Sequence, residues 1–244
     1  MSNATEHYEQ LLAEHYSWMI GASTAFKAAE QREILTRLGG VAGGELAVDL
    51  GAGLGYQSMA LADLGFKRVL ALDTSARLLQ ELQSHRGVRP IEAVHDDMMH
   101  ISHHVGPETA DAVVCMGDSL PHLSAHELVP QLFTEVFRAL RPTGTFVLSF
   151  RDLSAELHGV DRFIPVRSTA TKIMTCFLEF GPDTVMVHDL IQVRDGESWN
   201  LLKSCYPKLR LSVDELRRSL EAVGFEVYGQ EVVRGMSVLA AHRN

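Results

Sequence analysis

The segment that most limits what this chain can fold into is a glycine-rich turn directly after an apolar run. Residues 47–55 read Ala-Val-Asp-Leu-Gly-Ala-Gly-Leu-Gly. The run at residues 46–50 predicts a buried strand, and residues 56–64 predict a helix that Gly65 ends. Because glycine has no Cβ, the backbone can turn sharply here and approach a ligand closely. The start of the helix would add free N–H groups and the positive end of its dipole. The pattern therefore predicts a binding loop for a nucleotide-like cofactor rather than a plain connecting turn.

The same alternation of strand and helix continues to residue 150. Further strands are predicted at residues 69–72, 91–94, 112–116 and 146–150, and helices at residues 75–84 and 125–140. Ser124 is the predicted N-cap of the second of these helices, and Pro142 lies just past its end. Continuous apolar strands separated by helices are typical of a parallel sheet covered on both faces, so the sequence predicts an α/β fold.

The pattern changes on either side of this region. Apolar residues at helical spacing predict that residues 1–40 are helical. After the fifth strand, residues 160–206 predict an antiparallel insertion, with strand-like runs at 162–167, 173–180, 185–194 and 200–206. A capping box at residues 212–215 opens a last helix that Gly224 ends, and residues 225–228 and 236–241 predict a final strand pair. Since no Pro/Gly/Ser-rich linker divides the chain, residues 1–244 are expected to form a single domain.

Acidic residues around the glycine turn bear on which cofactor it binds. The NAD fingerprint is G-x-G-x-x-G, whereas residues 51–55 read G-x-G-x-G and Tyr56 stands where the third glycine should be. Asp49 would repel a pyrophosphate but suits a cation such as an α-ammonium group. Asp73 ends the second strand, where a carboxylate can accept hydrogen bonds from both ribose hydroxyls. An NAD-dependent oxidoreductase is thereby disfavoured but stays an alternative.

The order of these motifs resembles that of class I S-adenosylmethionine-dependent methyltransferases. After the glycine turn come Asp73, then Asp97-Met98, then Asp-Ala-Val-Val-Cys-Met-Gly at residues 111–117. The resemblance covers roughly residues 45–150 and 211–241. It implies a Rossmann-like seven-stranded sheet whose last strand is antiparallel, and S-adenosyl-L-methionine as the cofactor. The cofactor-binding residues that it implies are Asp49, Gly51, Ala52, Gly53, Gly55, Asp73, Thr74, Asp97, Met98, Met116 and Gly117.

Related enzymes cover the cofactor with their N-terminal segment, so the resemblance also implies that residues 1–40 form a helical lid. Tyr16 and Trp18 lie in this segment, and their rings could face the sulfonium cation of the cofactor. The alternative is that both residues simply anchor helix packing.

On the substrate side, the chain is similar to glycine N-methyltransferases. The similar stretches are residues 115–123, residues 140–152 and Cys205-Tyr-Pro207. In that family, the arginine after the fifth strand binds the substrate carboxylate, and Arg151 matches it. Asp118 stands where the family has asparagine, and a carboxylate there would repel glycine. An acceptor with a cationic or hydroxyl group is therefore expected instead.

A proton acceptor is needed only if the methylated atom is a hydroxyl oxygen or a protonated amine. His122 follows the fourth strand and can take this role; packing or cofactor contact is the alternative for it. The predicted catalytic and acceptor-binding residues are His122, Arg151, Asp118 and Tyr206.

Histidines and arginines elsewhere are interpreted conservatively. His95, His100, His103 and His104 surround Asp96 and Asp97, and imidazole with carboxylate can bind a metal. Because the segment is a short connection between strands, it is predicted to be a solvated loop without a metal. Arg162, Arg167 and Arg194 in the insertion are interpreted as the polar face of a sheet, with Arg167 the best candidate for an anion contact.

Charge and composition narrow the function further. The chain has 22 Lys and Arg against 31 Asp and Glu, a net charge of −9 that argues against a nucleic-acid partner. No apolar run is long enough to span a bilayer, and the N-terminus does not resemble a signal peptide. Three widely spaced cysteines favour a reducing cytoplasm. The sequence thus predicts a cytoplasmic methyltransferase for an N or O atom of a small molecule. A non-catalytic S-adenosylmethionine-binding protein is the other alternative, and a homo-oligomer stays open.

Overall fold

The computed structural model describes residues 4–244. The strands in this part of the chain are β1 Gly44–Leu50, β2 Phe66–Asp73, β3 Ile91–His95, β4 Ala110–Cys115, β5 Leu140–Phe150, β6 Phe163–Ser168, β7 Lys172–Phe180, β8 Thr184–Asp195, β9 Ser198–Leu209, β10 Phe225–Val233 and β11 Met236–Arg243. The α-helices are α1 Ala4–His7, α2 Ala13–Ile20, α3 Thr24–Arg37, α4 Tyr56–Asp63, α5 Ala76–His85, α6 Ile101–His104, α7 Leu128–Ala139 and α8 Val213–Val223. A π-helical segment, Tyr8–Leu12, joins α1 to α2, and short 3₁₀ helices lie at Met98–His100, Leu120–His122 and Gly159–Arg162.

The chain divides into two compact units. The larger unit contains residues 22–152 and 211–244, and the smaller unit contains residues 4–21 and 153–210. None of the helices in residues 4–244 combines the length and the apolar character needed to cross a membrane. The predictions of a single domain and of an N-terminal lid stay predictions.

The larger unit is built on a seven-stranded sheet with strand order β10-β11-β5-β4-β1-β2-β3. Strands β1 to β5 run parallel, whereas β11 is antiparallel to β5 and β10 is antiparallel to β11. The fold prediction is therefore confirmed. The strand order reverses between β1 and β4, and in such sheets ligands bind at the carboxyl ends of the strands beside this reversal.

The core of the larger unit explains why its strands were predictable. Residues such as Val48, Leu70 and Val113 are fully or almost fully buried, because helices cover both faces of the sheet. The predicted capping box is also confirmed, since the side chains and backbone N–H groups of Ser212 and Glu215 bond reciprocally at the start of α8.

Two predicted boundaries around α7 are wrong. The helix begins at Leu128 instead of residue 125, and its N-cap is Glu127 rather than Ser124. The preceding residues form a turn in which the Leu128 N–H donates to the carbonyl of Ala125. At the other end, β5 starts at Leu140 and includes Pro142. The proline is tolerated because the β4–β5 register shifts here, so that residues of β5 bulge out of the ladder.

The smaller unit contains the predicted antiparallel insertion, a four-stranded sheet in the order β6-β7-β8-β9. Leu11 and Leu12 of the π-helical segment pack in one cluster with Met174 and Ile191 of this sheet. Gly21, with a left-handed φ of 68°, ends α2. The predicted helical region 1–40 is thus divided between the units, because α3 belongs to the larger one.

Candidate active site

The glycine loop between β1 and α4 is tightly wound. Gly51, Gly53 and Gly55 all have positive φ, at 71°, 52° and 79°. A Cβ on Gly51 would lie 2.5 Å from the Oγ of Ser119, so only glycine lets the loop approach the segment after β4 this closely. The Ser119 hydroxyl donates to the carbonyls of Gly51 and Met116 at 3.2 and 3.1 Å. The two loops beside the strand-order reversal are therefore fastened to each other.

The N–H groups of this loop are used within the protein. Those of Gly51 and Ala52 both donate to the carbonyl of Leu72 at 2.9 Å, and that of Gly55 donates to Ala52 at 2.8 Å. These three donors lie before α4, where the tight turn brings carbonyl acceptors to them; the prediction of free N–H groups concerns the start of the helix itself and stays a prediction. A loop of this kind is less suited to a pyrophosphate than a loop with free donors.

Asp73, at the end of β2, is held by two backbone donors. One carboxylate oxygen accepts the N–H of Gly53 at 2.7 Å, and the other accepts the N–H of Ser75 at 2.8 Å. Each carboxylate oxygen can accept more than one hydrogen bond, so the fixed group can still receive ribose hydroxyls. Its orientation is set in advance by the loop and by the start of α5.

Asp49, near the end of β1, is fully buried. Ser58 of α4 donates its hydroxyl to Oδ2 at 2.5 Å, whereas Oδ1 has no hydrogen-bond partner within residues 4–244. The pKa of Asp49 is raised to about 7, mainly by burial; the Ser58 hydrogen bond opposes this rise, and the nearby charge of Asp73 adds to it. A cationic group near Asp49 would favour its ionised form.

The segment after β3 is helical rather than the predicted solvated loop. Asp97 caps the 3₁₀ helix Met98–His100, accepting the N–H of Met99 at 2.9 Å. The Met98 side chain reaches the glycine loop, with its Cε 3.6 Å from the point where a Cβ of Gly51 would lie. His95 bonds the carbonyl of Thr74 at 2.9 Å, which links the ends of β2 and β3.

A second polar group lies where β4 and β5 end. Gly117, with a φ of 80°, donates its N–H to the Ser149 hydroxyl at 2.9 Å. Asp118 also has a positive φ, 76°, and its Oδ1 accepts the backbone N–H of Arg151 at 2.8 Å. The Nε of Arg151 is 3.8 Å from Oδ2, and the arginine side chain is 58% exposed. Asp118 is therefore fixed mainly by a backbone donor, and its ion pair with Arg151 is weak.

His122 ends the 3₁₀ helix Leu120–His122, and its backbone N–H donates to the carbonyl of Ser119 at 3.0 Å. The same turn that packs against Gly51 thus positions His122. Met116, which precedes this turn, is buried in the core of the larger unit.

Three predicted site residues belong to the smaller unit. Tyr206 on β9 is buried, and the centre of its ring lies 4.3 Å from the centre of the His7 ring. Tyr16 and Trp18 pack at the helix–sheet cluster of that unit. The ammonium group of Lys172 and the guanidinium group of Arg167 lie over the Trp18 ring, 5.0 Å and 5.7 Å from its centre.

The other two insertion arginines make local contacts. Arg162 lies over the ring of Phe177 at 4.9 Å, and the Nε of Arg194 donates to the carbonyl of Gly196 at 2.9 Å. For these two residues the structural interpretation is supported.

Sequence reasoning missed Ser58, Ser119 and Ser149, which fix the two loops. Ser58 could have been found from its position on the buried side of α4, because a buried hydroxyl needs a hydrogen-bond partner. Ser119 and Ser149 carry no such signal, since their roles depend on neighbouring strands.

Comparisons with known proteins agree with this geometry. Residues 47–144 match the family described as a methyltransferase domain. The strand order, the glycine loop and this match are those of class I S-adenosylmethionine-dependent methyltransferases, in which S-adenosylmethionine is the methyl donor.

Two relatives and one solved structure are similar to this chain. It is 28% identical over 186 residues to the Bacillus subtilis methyltransferase YqeM, covering 74% of this chain and 73% of that one. It is 29% identical over 112 residues to glycine/sarcosine N-methyltransferase of Aphanothece halophytica. This match covers 45% of this chain and 42% of the relative, so the chain is a distant homologue of that enzyme.

The solved structure is that of CalS10, an amino pentose methyltransferase from Micromonospora echinaspora. Compared with this chain, that structure has a TM-score of 0.75 and a sequence identity of 18%, and the comparison covers 95% of this chain and 96% of the other. This likeness shows the fold.

Proposed function

We propose that the chain methylates a small molecule, at an amine nitrogen in preference to a hydroxyl oxygen. The observation that carries this proposal is the fixed carboxylate of Asp118, whose side chain is 9% exposed. A carboxylate kept away from water and oriented by a backbone N–H attracts an ammonium group more strongly than one in water. The relative named for glycine and sarcosine is an N-methyltransferase, which supports an amine acceptor.

S-adenosylmethionine would be held by the loops at the carboxyl ends of β1 to β4. The buried Asp49 oxygen without a partner suits a cationic α-ammonium group, reached directly or through water. The fixed carboxylate of Asp73 suits the ribose. The remaining residues proposed for the cofactor are Gly51, Ala52, Gly53, Gly55, Thr74, Asp97, Met98, Met116 and Gly117. Contact of Tyr16 and Trp18 with the cofactor stays a prediction.

The chemistry of transfer comes from the cofactor, whose sulfonium carries an activated methyl group. What the protein must do is orient the acceptor, exclude water and remove a proton where needed. We assign acceptor binding to Asp118 and Arg151, and the role predicted for Tyr206 stays a prediction. His122 is the proposed proton acceptor, because its unperturbed pKa range suits proton removal near neutral pH.

A hydroxyl acceptor is the second candidate. It would depend on His122 more strongly than an amine, because a hydroxyl must lose its proton as its oxygen is methylated. An NAD-dependent oxidoreductase is set aside, since the family match and the engaged N–H groups both oppose it. Absence of a nucleic-acid partner and a cytoplasmic location stay proposals from charge and cysteine spacing.

A panel of small amines and alcohols tests the proposal, with S-adenosylhomocysteine as the measured product. Once an acceptor is found, Asp118→Asn should lower kcat/KM for an amine by about 10–100-fold, since a charged hydrogen bond contributes roughly 1.5–3 kcal/mol. Cofactor affinity should stay within about twofold. Asp63→Asn, at a surface pair with Arg89, serves as the control. Turnover of alcohols alone would shift the proposal to O-methylation.

Arg151→Ala separates substrate binding from mere pairing with Asp118. Because the arginine is exposed and its ion pair is long, its loss should change the free energy of unfolding by less than about 1 kcal/mol. The acceptor KM should nevertheless rise. Unchanged acceptor kinetics in the folded variant would remove Arg151 from the site.

A further inference from the structure

A carboxylate and two imidazoles come together in the segment after β3, on side chains that the proposed function does not use. Asp96, His100 and His103 each direct one ligand atom to the same place, and these three atoms lie within 4.8 Å of one another. From its sequence, this segment is predicted to be a solvated loop. Instead, the 3₁₀ helix and α6 wind the chain, so that residues four and seven positions after Asp96 return to its side.

Asp96 is the centre of this cluster. Its Oδ1 lies 2.7 Å from the Nδ1 of His100, and its Oδ2 lies 2.7 Å from the Nε2 of His104. Oδ1 also accepts the backbone N–H of Asp97 at 2.8 Å. These three hydrogen bonds fix the direction of the carboxylate.

The two imidazoles are placed differently. The rings of His100 and His103 stack with their centres 5.0 Å apart and an angle of 18° between their planes. Within residues 4–244, His103 makes ring contacts with His100 and His104 and no hydrogen bond. The nitrogens of His103 are thus available to a ligand without loss of an existing hydrogen bond.

A set of two imidazoles and one carboxylate is a ligand set for zinc and other late first-row divalent ions. Magnesium and calcium prefer oxygen ligands, so the imidazoles select against them. We propose that Asp96, His100 and His103 form a binding site for a zinc ion, whose remaining coordination positions face solvent. The proposal is independent of the methyl acceptor.

Calorimetric titration of the metal-free full chain with zinc chloride tests the site, in a buffer that does not bind zinc and without a polyhistidine tag. One equivalent should bind with micromolar affinity, and magnesium chloride should give no heat of binding. His103→Asn should weaken zinc binding by at least about tenfold, since it removes one of three ligands. Circular dichroism of this variant should match that of the wild type.

His104→Asn is the decisive control. His104 lies in the same patch and contacts the same aspartate, but its nitrogen does not belong to the three converging ligand atoms. Because His104 orients Asp96 without supplying a ligand atom, its loss should weaken zinc binding clearly less than His103→Asn does, whereas His85→Asn, at the exposed end of α5, should change nothing. Equal losses in His103→Asn and His104→Asn would indicate a loose histidine patch and overturn the proposal. So would the absence of zinc binding in the wild type.

Discussion

At the scale of single residues, two carboxylates in the proposed cofactor site differ in their surroundings. Asp73 has two backbone N–H donors, whereas Asp49 is buried with one hydroxyl donor and one oxygen without a partner. A carboxylate with backbone donors is stable in its ionised form, and a buried one is not. The first therefore suits a neutral hydroxyl ligand, and the second suits a cation.

Asp73→Asn should weaken S-adenosylmethionine binding by about 10–100-fold, because an amide cannot replace every acceptor position of the carboxylate. The asparagine oxygen can keep one of the two backbone hydrogen bonds, so the fold should survive. Calorimetry with S-adenosylmethionine measures the effect. Affinity equal to that of the wild type would contradict the assignment of Asp73 to the ribose.

Asp49 makes the stability of the cofactor-free protein depend on pH. Its folded pKa of about 7 lies above the ordinary value of 3.8, so the folded chain holds a proton that the unfolded chain releases. Stability therefore falls as the pH rises from about 4 to 7. Asp49→Asn removes this loss and should raise the free energy of unfolding at pH 8 by on the order of 1–3 kcal/mol.

Urea unfolding at pH 4.5 and pH 8 without cofactor checks this expectation, because the two proteins should differ only at the higher pH. The same variant should bind S-adenosylmethionine more weakly. An identical difference in stability at both pH values would contradict a raised pKa of Asp49.

At the scale of elements, the glycine loop depends on both conformation and space. Gly51→Ala places a methyl group 2.5 Å from Ser119 and also forces alanine into a positive φ. Gly40 is a matched control, since its φ is 58° and nothing lies within 4 Å of its added Cβ. Gly40→Ala should cost about 1 kcal/mol, and Gly51→Ala at least about 1 kcal/mol more.

Thermal unfolding of both variants separates the cost of the positive φ from the cost of the contact with Ser119. Calorimetric titration measures their cofactor binding. Gly51→Ala should also weaken cofactor binding, whereas Gly40→Ala should not. Equal stability of the two variants would show that the loop moves away from Ser119 without cost.

The strands of the larger unit and the antiparallel insertion could be predicted because their apolar patterns are long and regular. The start of α7 could not, because it depends on a turn after His122 that local pattern does not indicate. The prediction of a loop for the histidine segment is wrong because its helices are only three and four residues long, too short to show a periodic pattern. In the candidate site, Asp49 and Asp73 follow from their strands, while Ser58 and Ser119 depend on packing between elements.

At the scale of the whole molecule, each of the two units has its own core. In the smaller unit, a buried hydrogen bond joins the N-terminal segment to the sheet: His7 Nε2 lies 2.8 Å from Asp189 Oδ2. Cys176 donates its thiol to the other oxygen of Asp189 at 2.7 Å. Both carboxyl oxygens are thereby satisfied away from water, and removal of the histidine would leave a buried oxygen without its partner.

His7→Ala should destabilise the smaller unit by about 1–3 kcal/mol, as expected when a buried carboxyl oxygen loses its hydrogen-bond partner. His188→Ala is the control, since its pair with Glu179 at 3.0 Å is largely exposed and should contribute less than about 1 kcal/mol. Hydrogen exchange followed by mass spectrometry should show faster exchange in β7 and β8 of His7→Ala, with β1 and β4 unchanged. Equal effects of the two substitutions would contradict a structural role for the buried pair.

The discontinuity of the smaller unit also has a consequence during synthesis. Residues 4–21 leave the ribosome more than a hundred residues before the sheet strands that cover Leu11 and Leu12. At about 5–20 residues per second, their apolar face waits on the order of 10 s for its partner. The larger unit is interrupted as well, because β10 and β11 follow the insertion in the chain. Nascent chains of this protein therefore expose the apolar face of residues 4–21 until the insertion has been synthesised.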